Sequence, residues 1–136
     1  MIALFFVSSV AVAQNRNMRP PAMVQRSFSR DNRNSNNVNW SQSNGNWHAT
    51  YQDRNNRQAE VYYDRNGRRI ATHWDINRNE APRQVDQRVY TMYHTHDYRI
   101  RRIERPSQPT LFQVLVNGLA IYLDAQGRKT TYTPRY

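Results

Sequence analysis

Apolar positions recur at every second residue from Ala59 to Ile76, broken once by a polar tip. Ala59, Val61 and Tyr63 lead into Asp64-Arg65-Asn66-Gly67, and Ile70, Thr72, Trp74 and Ile76 lead away from it. A period of two belongs to a half-buried β-strand, whose successive side chains point to opposite faces. The tip places Asp first and Gly fourth, the preferences of a type I turn followed by a residue of positive φ. The segment therefore predicts a β-hairpin with Gly67 in the left-handed region. Asp124-Ala125-Gln126-Gly127, after Ile121 and Leu123, predicts a second hairpin of the same kind with Gly127 in that role. Further turns are expected at Asn44-Gly45, at Asp53 to Arg57 and at Asn117-Gly118.

The chain around the two tips also repeats in order. "PAMVQRSF" (21–28) matches "PRQVDQRV" (82–89), with Pro21 over Pro82, Val24 over Val85 and Phe28 over Val89. Apolar residues four apart behind a proline read as the start of a helix with one buried face. The second helix is expected from near Pro82 to about His94, with Val85, Val89, Met92 and Tyr93 as its stripe. In the first, Ser27, Ser29 and the Asn-rich run that follows predict an early end. "WHATY" (47–51) corresponds to "FQVLV" (112–116), and Val38 and Trp40 to Ile100 and its neighbours. The expected fold class is α+β: two tandem helix-plus-four-stranded antiparallel units forming a curved sheet with helices on one face. The units span residues 14–78, with a flexible N-terminal part, and 79–136.

The order Pro-x-x-Val-x-x-x-Phe, Val-x-Trp, Trp-x-Ala-x-Tyr and Glu-Val-Tyr-Tyr-Asp-x-x-Gly resembles the PepSY-like proteins of the β-lactamase-inhibitor-like (BLIP-like) superfamily. The resemblance runs from about Pro21 to Tyr132. It implies an exported protein of tandem helix-plus-sheet units, whose sheet face opposite the helices is free for a protein partner.

Alternation assigns residues to the two faces. Trp47, Ala49, Tyr51, Val61, Tyr63, Ile70 and Trp74 are expected to face the helices, as are Phe112, Val114, Val116, Ile121 and Leu123. The open face then carries His48, Thr50, Glu60, Tyr62, Arg69 and His73, and Arg99, Arg101, Gln113, Leu115 and Tyr122. Tyr and Arg offer large contact area and directional donors, the composition of protein interaction hot spots. Tyr62, Arg69, His73, Arg99, Arg101 and Tyr122 are the expected partner-binding residues, binding without carrying the fold.

Charge widens the choice of partner. Twenty basic residues against ten acidic ones give a net charge of +10, and all the basic residues but Lys129 are Arg. Another exported protein is the first expected partner. Anionic polymers such as lipopolysaccharide, acidic polysaccharide or nucleic acid are the alternative. Catalysis is not expected: the chain holds no cysteine, no glycine-rich phosphate loop, no nucleophile elbow and no carboxylate pair placed by a motif. His94-Thr95-His96-Asp97 reads as a helix terminus favoured by the helix dipole rather than a metal site. No cofactor is expected.

The first residues bear on where the protein works. "MIALFFVSSVAVAQ" is an apolar run that closes on Ala11-Val12-Ala13, the small-x-small pattern of signal peptidase sites. Residues 1–13 are expected to be a signal peptide, with the true start upstream because no charged segment precedes the run. A periplasmic or secreted protein without a transmembrane anchor follows. N-terminal sequencing of protein from the envelope fraction is expected to begin at Gln14, and recovery of an uncleaved cytoplasmic form would refute export.

Overall fold

A computed structural model of the chain describes residues 17–136; the apolar run and expected cleavage site at residues 1–14 lie outside them. From Ala22 the chain runs helix, four strands, helix, four strands. The first half comprises α1 (Ala22–Asp31), β1 (Asn36–Ser43), β2 (Asn46–Gln52), β3 (Gln58–Tyr63) and β4 (Arg69–Ile76). One 3-10 turn, Arg78–Glu80, leads to α2 (Arg83–Tyr93), β5 (Arg99–Glu104), β6 (Leu111–Val116), β7 (Leu119–Asp124) and the two-residue β8 (Lys129–Thr130). All eight strands form one antiparallel sheet in sequence order. The α+β class read from the sequence holds.

The register puts every helix-contacting residue on one face. Ala49 pairs with Val61 and Val61 with Thr72, while Ile100 pairs with Val114 and Val114 with Ile121. Partners opposite each other share a face. Val24 and Phe28 of α1 close over Trp47, Ala49, Tyr51, Val61 and Tyr63, and Val85 and Val89 of α2 close over Ile100, Phe112, Val114, Ile121 and Leu123. Both helices therefore lie on the same side.

The two Asp-x-x-Gly tips are built alike. Asp64 Oδ1 accepts from the amides of Asn66 and Arg68 at 2.8 and 2.9 Å, and Asp124 Oδ1 accepts from those of Gln126 and Arg128 at 2.9 and 2.9 Å. The fourth residue is left-handed in each, at φ +81 for Gly67 and +77 for Gly127. Each glycine also lies against a helix. A Cβ on Gly67 would stand 2.7 Å from the Met23 carbonyl oxygen and 2.8 Å from Ser27 Oγ, and one on Gly127 would overlap the Gln84 carbonyl oxygen. The tips are the seats on which the helices rest.

This explains why α1 does not stop early. Ser27, expected to weaken the helix, is buried against Gly67, where a larger side chain would lift α1 off the sheet. The helix continues to Asp31 and ends at Asn32, whose amide donates to the Phe28 carbonyl at 2.8 Å. The second helix matches its expected span, with Pro82 before it and His94 left-handed (φ 53) after it.

A third tip, Asp53 to Arg57, has the same Asp-centred hydrogen bonds but carries Asn56 at φ 60 in place of glycine. Asn56 is exposed, and asparagine tolerates the left-handed region where no helix presses on the turn. β1 also starts inside the Asn-rich run, with a bulge between Asn36 and Asn39 and Asn37 left-handed at φ 52. Its outer edge receives the Met18 amide at the Trp40 carbonyl, 3.1 Å away.

After β8 the chain turns back over the face opposite the helices, and Ser43 Oγ of β1 donates to the Tyr136 carbonyl at 3.1 Å. On a flat sheet, seven spacings of about 4.8 Å would separate β1 from β8 by roughly 34 Å. Six extended residues reach at most roughly 22 Å. The sheet is therefore curved so that its two edges converge, and the face without helices is concave.

The seats lead to a comparison of four glycines. Gly67→Ala and Gly127→Ala are expected to cost about 2–5 kcal/mol each, combining left-handed strain with a clash against helix backbone. Gly45→Ala and Gly118→Ala, where nothing stands within 4 Å, are expected to cost only about 1–2 kcal/mol. Denaturant unfolding of the four variants checks the difference, and equal costs would rule out the seating role.

Candidate functional site

On the concave side, strand pairing aligns His48 with Tyr62, Tyr62 with Ala71, Glu60 with His73, and His73 with Ile103. It continues through Asp75 with Arg101, Arg101 with Gln113, and Gln113 with Tyr122. Five of the six residues expected at a partner-binding face, Tyr62, His73, Arg99, Arg101 and Tyr122, lie on this side. Arg69 does not. A bulge between Tyr62 and Tyr63 shifts the register so that Arg69 opposes the buried Tyr63. From there Arg69 Nη1 donates to Thr72 Oγ1 at 3.3 Å, in a cleft shared with Asp31, Asn32 and Tyr51 on the helix side. Simple alternation missed the extra residue, Ile70, which consequently joins neither helix-side cluster.

Glu60 is the hub of the concave face, although alternation assigned it only to the open side. Its carboxylate accepts from His48 Nε2 at 2.9 Å, from His73 Nδ1 at 3.1 Å and from Arg101 Nη1 at 3.0 Å. Arg101 Nε also donates to Asp75 Oδ1 at 3.2 Å, and Arg99 stands 3.6 Å from the same carboxylate. Because a carboxylate only accepts, the histidine nitrogens facing Glu60 carry its protons. Burial opposes ionisation of Glu60, but the two histidine hydrogen bonds and the Arg101 guanidinium outweigh it and hold the carboxyl well below its usual range.

Tyr62 sits within this cluster. Its ring stacks on His48 with centroids 4.4 Å apart and meets the ring of Tyr136 at 4.3 Å. Burial, then the Glu60 charge, push its hydroxyl up to about 12. Tyr62 was expected to leave the fold untouched; packed between two rings, it contributes to it. His73 is likewise buried, 7% exposed, and its Nε2 meets the Tyr136 hydroxyl. With Nδ1 donating to Glu60, Nε2 of a neutral ring accepts from that hydroxyl.

Tyr122 lies toward the other edge. Gln113 Nε2 donates to its hydroxyl at 3.1 Å, and Tyr132 packs edge-on against its ring at 5.2 Å. Arg105 in turn lies 4.8 Å over the Tyr132 ring. Tyr132 and Tyr136 hydroxyls bond to each other. Sequence reading missed both tyrosines, because they follow the last tip in a polar stretch with no periodicity.

An apolar floor underlies these rings. Register places Ala71, Ile103 and Leu111 on the concave side, yet they are only 0%, 1% and 6% exposed and belong to neither helix-side cluster. β5 held the legible signal: Ile100 and Ile103 are both apolar and stand on opposite faces. A strand buried on both faces means that both sides of the sheet are covered.

The histidines after α2 form a separate group. His96 Nδ1 donates to Asp86 Oδ1 at 3.1 Å, and its ring stacks on Tyr90 at 4.7 Å. Among the described residues, no set of three or more His, Cys, Asp or Glu side chains is arranged to hold a metal ion, and no helix is long and apolar enough to cross a membrane.

No protein-family model and no curated protein matches the chain. Solved structures do. A BLIP-like protein from Bacteroides fragilis aligns with a TM-score of 0.69 at 19% identity, covering 88% of this chain and 96% of that one. A candidate periplasmic protein from Bacteroides eggerthii aligns with a TM-score of 0.74 at 15% identity, covering 84% and 88%. A DUF2874 family protein from Bacteroides ovatus aligns with a TM-score of 0.72 at 20% identity, covering 84% and 86%. The fold is BLIP-like, as the sequence resemblance implied.

The hub has a defined acid response. Its folded-state pKa lies below the unfolded value, so its stabilisation is complete above the ordinary carboxylate range near about 4.3 and is lost as pH falls through the depressed folded value. Glu60→Gln is expected to cost about 1–3 kcal/mol at pH 7, the scale of a broken, partly buried charge-assisted network. That cost shrinks as pH falls below about 4.3. Urea midpoints across this range check it, and a difference that does not change with pH would remove Glu60 from the hub.

Proposed function

We propose that the chain is an exported, non-catalytic module that docks a protein partner on its concave sheet face. The observation that carries this reading is the composition of that face: an apolar floor of Ala71, Ile103 and Leu111, tyrosines along its length, and arginines with partners of their own. Aromatic and arginine side chains over a desolvated centre characterise protein interfaces. The BLIP-like fold and the candidate periplasmic neighbour are in keeping with it.

Two further observations bear on the alternatives. A general base works best with a pKa near the operating pH. Glu60 is held far below that range, and its carboxylate is engaged by His48, His73 and Arg101, which favours a binding role over catalysis. Two of the concave arginines are also matched: Arg99 and Arg101 face Asp75 and Glu60, while Arg105 lies over the Tyr132 ring. A polyanion would have to displace those carboxylates, so the net positive charge of the chain is not concentrated here.

Capture from the producing organism's envelope at low and moderate salt tests the proposal. A protein is expected to be retained at both salt concentrations, to bind in direct titration with the purified chain, and to lose at least roughly tenfold in affinity with Tyr122→Ala. Arg88→Ala, on the helix side, is expected to leave binding unchanged. An anionic polymer whose affinity falls log-linearly with salt would replace this reading with the polyanion one, and equal binding by the Tyr122 and Arg88 variants would remove the concave face from it.

A further inference from the structure

The concave face already holds an occupant. Residues 131–136 cross it, and their contacts are concentrated in two side chains. Tyr132 packs on Tyr122 beneath Arg105, and Tyr136 packs on Tyr62 and His73. Thr131, Thr133, Pro134 and Arg135 are exposed. Strand pairing stops at Thr130, and among the described residues no backbone hydrogen bond joins 131–136 to a strand. The segment is held by two rings, two hydroxyls and one carbonyl, and it lies over a floor that is otherwise the apolar centre of the face.

From this we infer that the concave face is a groove for an extended polypeptide segment bearing two converging tyrosines, and that residues 131–136 are its tethered occupant, which a partner's segment must displace. The inference rests on the docking reading above and supplies the partner's chemistry. A phenol that replaces Tyr136 meets a ready acceptor in His73 Nε2 and ring faces in Tyr62 and His73. A phenol that replaces Tyr132 meets the Tyr122 ring and the Arg105 guanidinium. Ser43 Oγ supplies a donor for the backbone of the incoming segment. Attachment without strand pairing lets the segment leave without breaking a sheet ladder. Its short tether gives it an effective concentration on the order of millimolar, enough to exclude weak binders.

The test uses the full chain and, as probe, a fluorescent peptide of residues 129–136, KTTYTPRY. Tyr132→Ala/Tyr136→Ala empties the groove and is expected to bind the peptide saturably, at least roughly tenfold more tightly than the wild-type chain, whose own segment competes. The same peptide with alanine in place of its last tyrosine is expected not to bind. A folded double variant that ignores the peptide, or a wild-type chain that binds it equally well, would overturn the proposal. If the double variant does not fold, Tyr136→Ala alone carries the comparison. Failure of both to fold would make the segment part of the core and overturn the proposal too. Peptide binding without any captured partner protein would count against the docking reading alone; a captured partner without peptide binding would count against the tethered occupant alone.

Discussion

Neither helix could reach its place on the sheet if the tip beneath it carried a side chain. The carbonyl oxygens of Met23 and Gln84 stand where a Cβ on Gly67 or Gly127 would be, and interiors packed at crystal density do not absorb such an overlap. With the tips bare, α1 and α2 come close enough for Val24, Phe28, Val85 and Val89 to close both clusters. Ser27 belongs to the same fit. Both clusters are consumed in the process, which commits the centre of the helix side to stability and leaves Met23, Tyr90 and Leu119 exposed around it.

The other side answers a different demand. A curved sheet brings the residues of its inner face together, so polar groups there must find one another. Glu60 solves this for two histidines and Arg101 at once, and Asp75 for Arg99. The result is a concave surface on which Glu60 and Asp75 match Arg99 and Arg101 and half-buried tyrosine rings pack against one another.

Much of this was legible because it is local. Asp-x-x-Gly and Asn-Gly specify their turns within four residues, and period-two alternation then assigns faces on either side. Tyr62 and His73 were placed correctly for that reason. Arg69 was not, because one extra residue between a tip and a strand inverts the face assignment until the ladder resumes. The segment after β8 was illegible in another way. Thr-Tyr-Thr-Pro-Arg-Tyr has no period, and its contacts lie at Tyr62, His73 and Ser43, far back in the chain. Ile103 announced some cover on the concave side, but nothing local to it named the segment responsible.

The strand order carries a consequence for how the molecule assembles. Every strand pairs with its neighbour in sequence, β1 through β8, so the sheet can zip together hairpin by hairpin, with only α2 and its flanking turns to close between β4 and β5. Such a topology keeps loop-closure entropy low and folding fast. The bonds from Tyr136 are of another kind, spanning 63 residues to His73 and 93 to Ser43, the longest separations of any hydrogen bond among the described residues. They can form only after both ends of the meander are in place and the sheet has curved. Attaching the segment therefore closes loops of 63 and 93 residues on a ladder otherwise built from neighbours, which makes it the costliest closure in the fold in chain entropy.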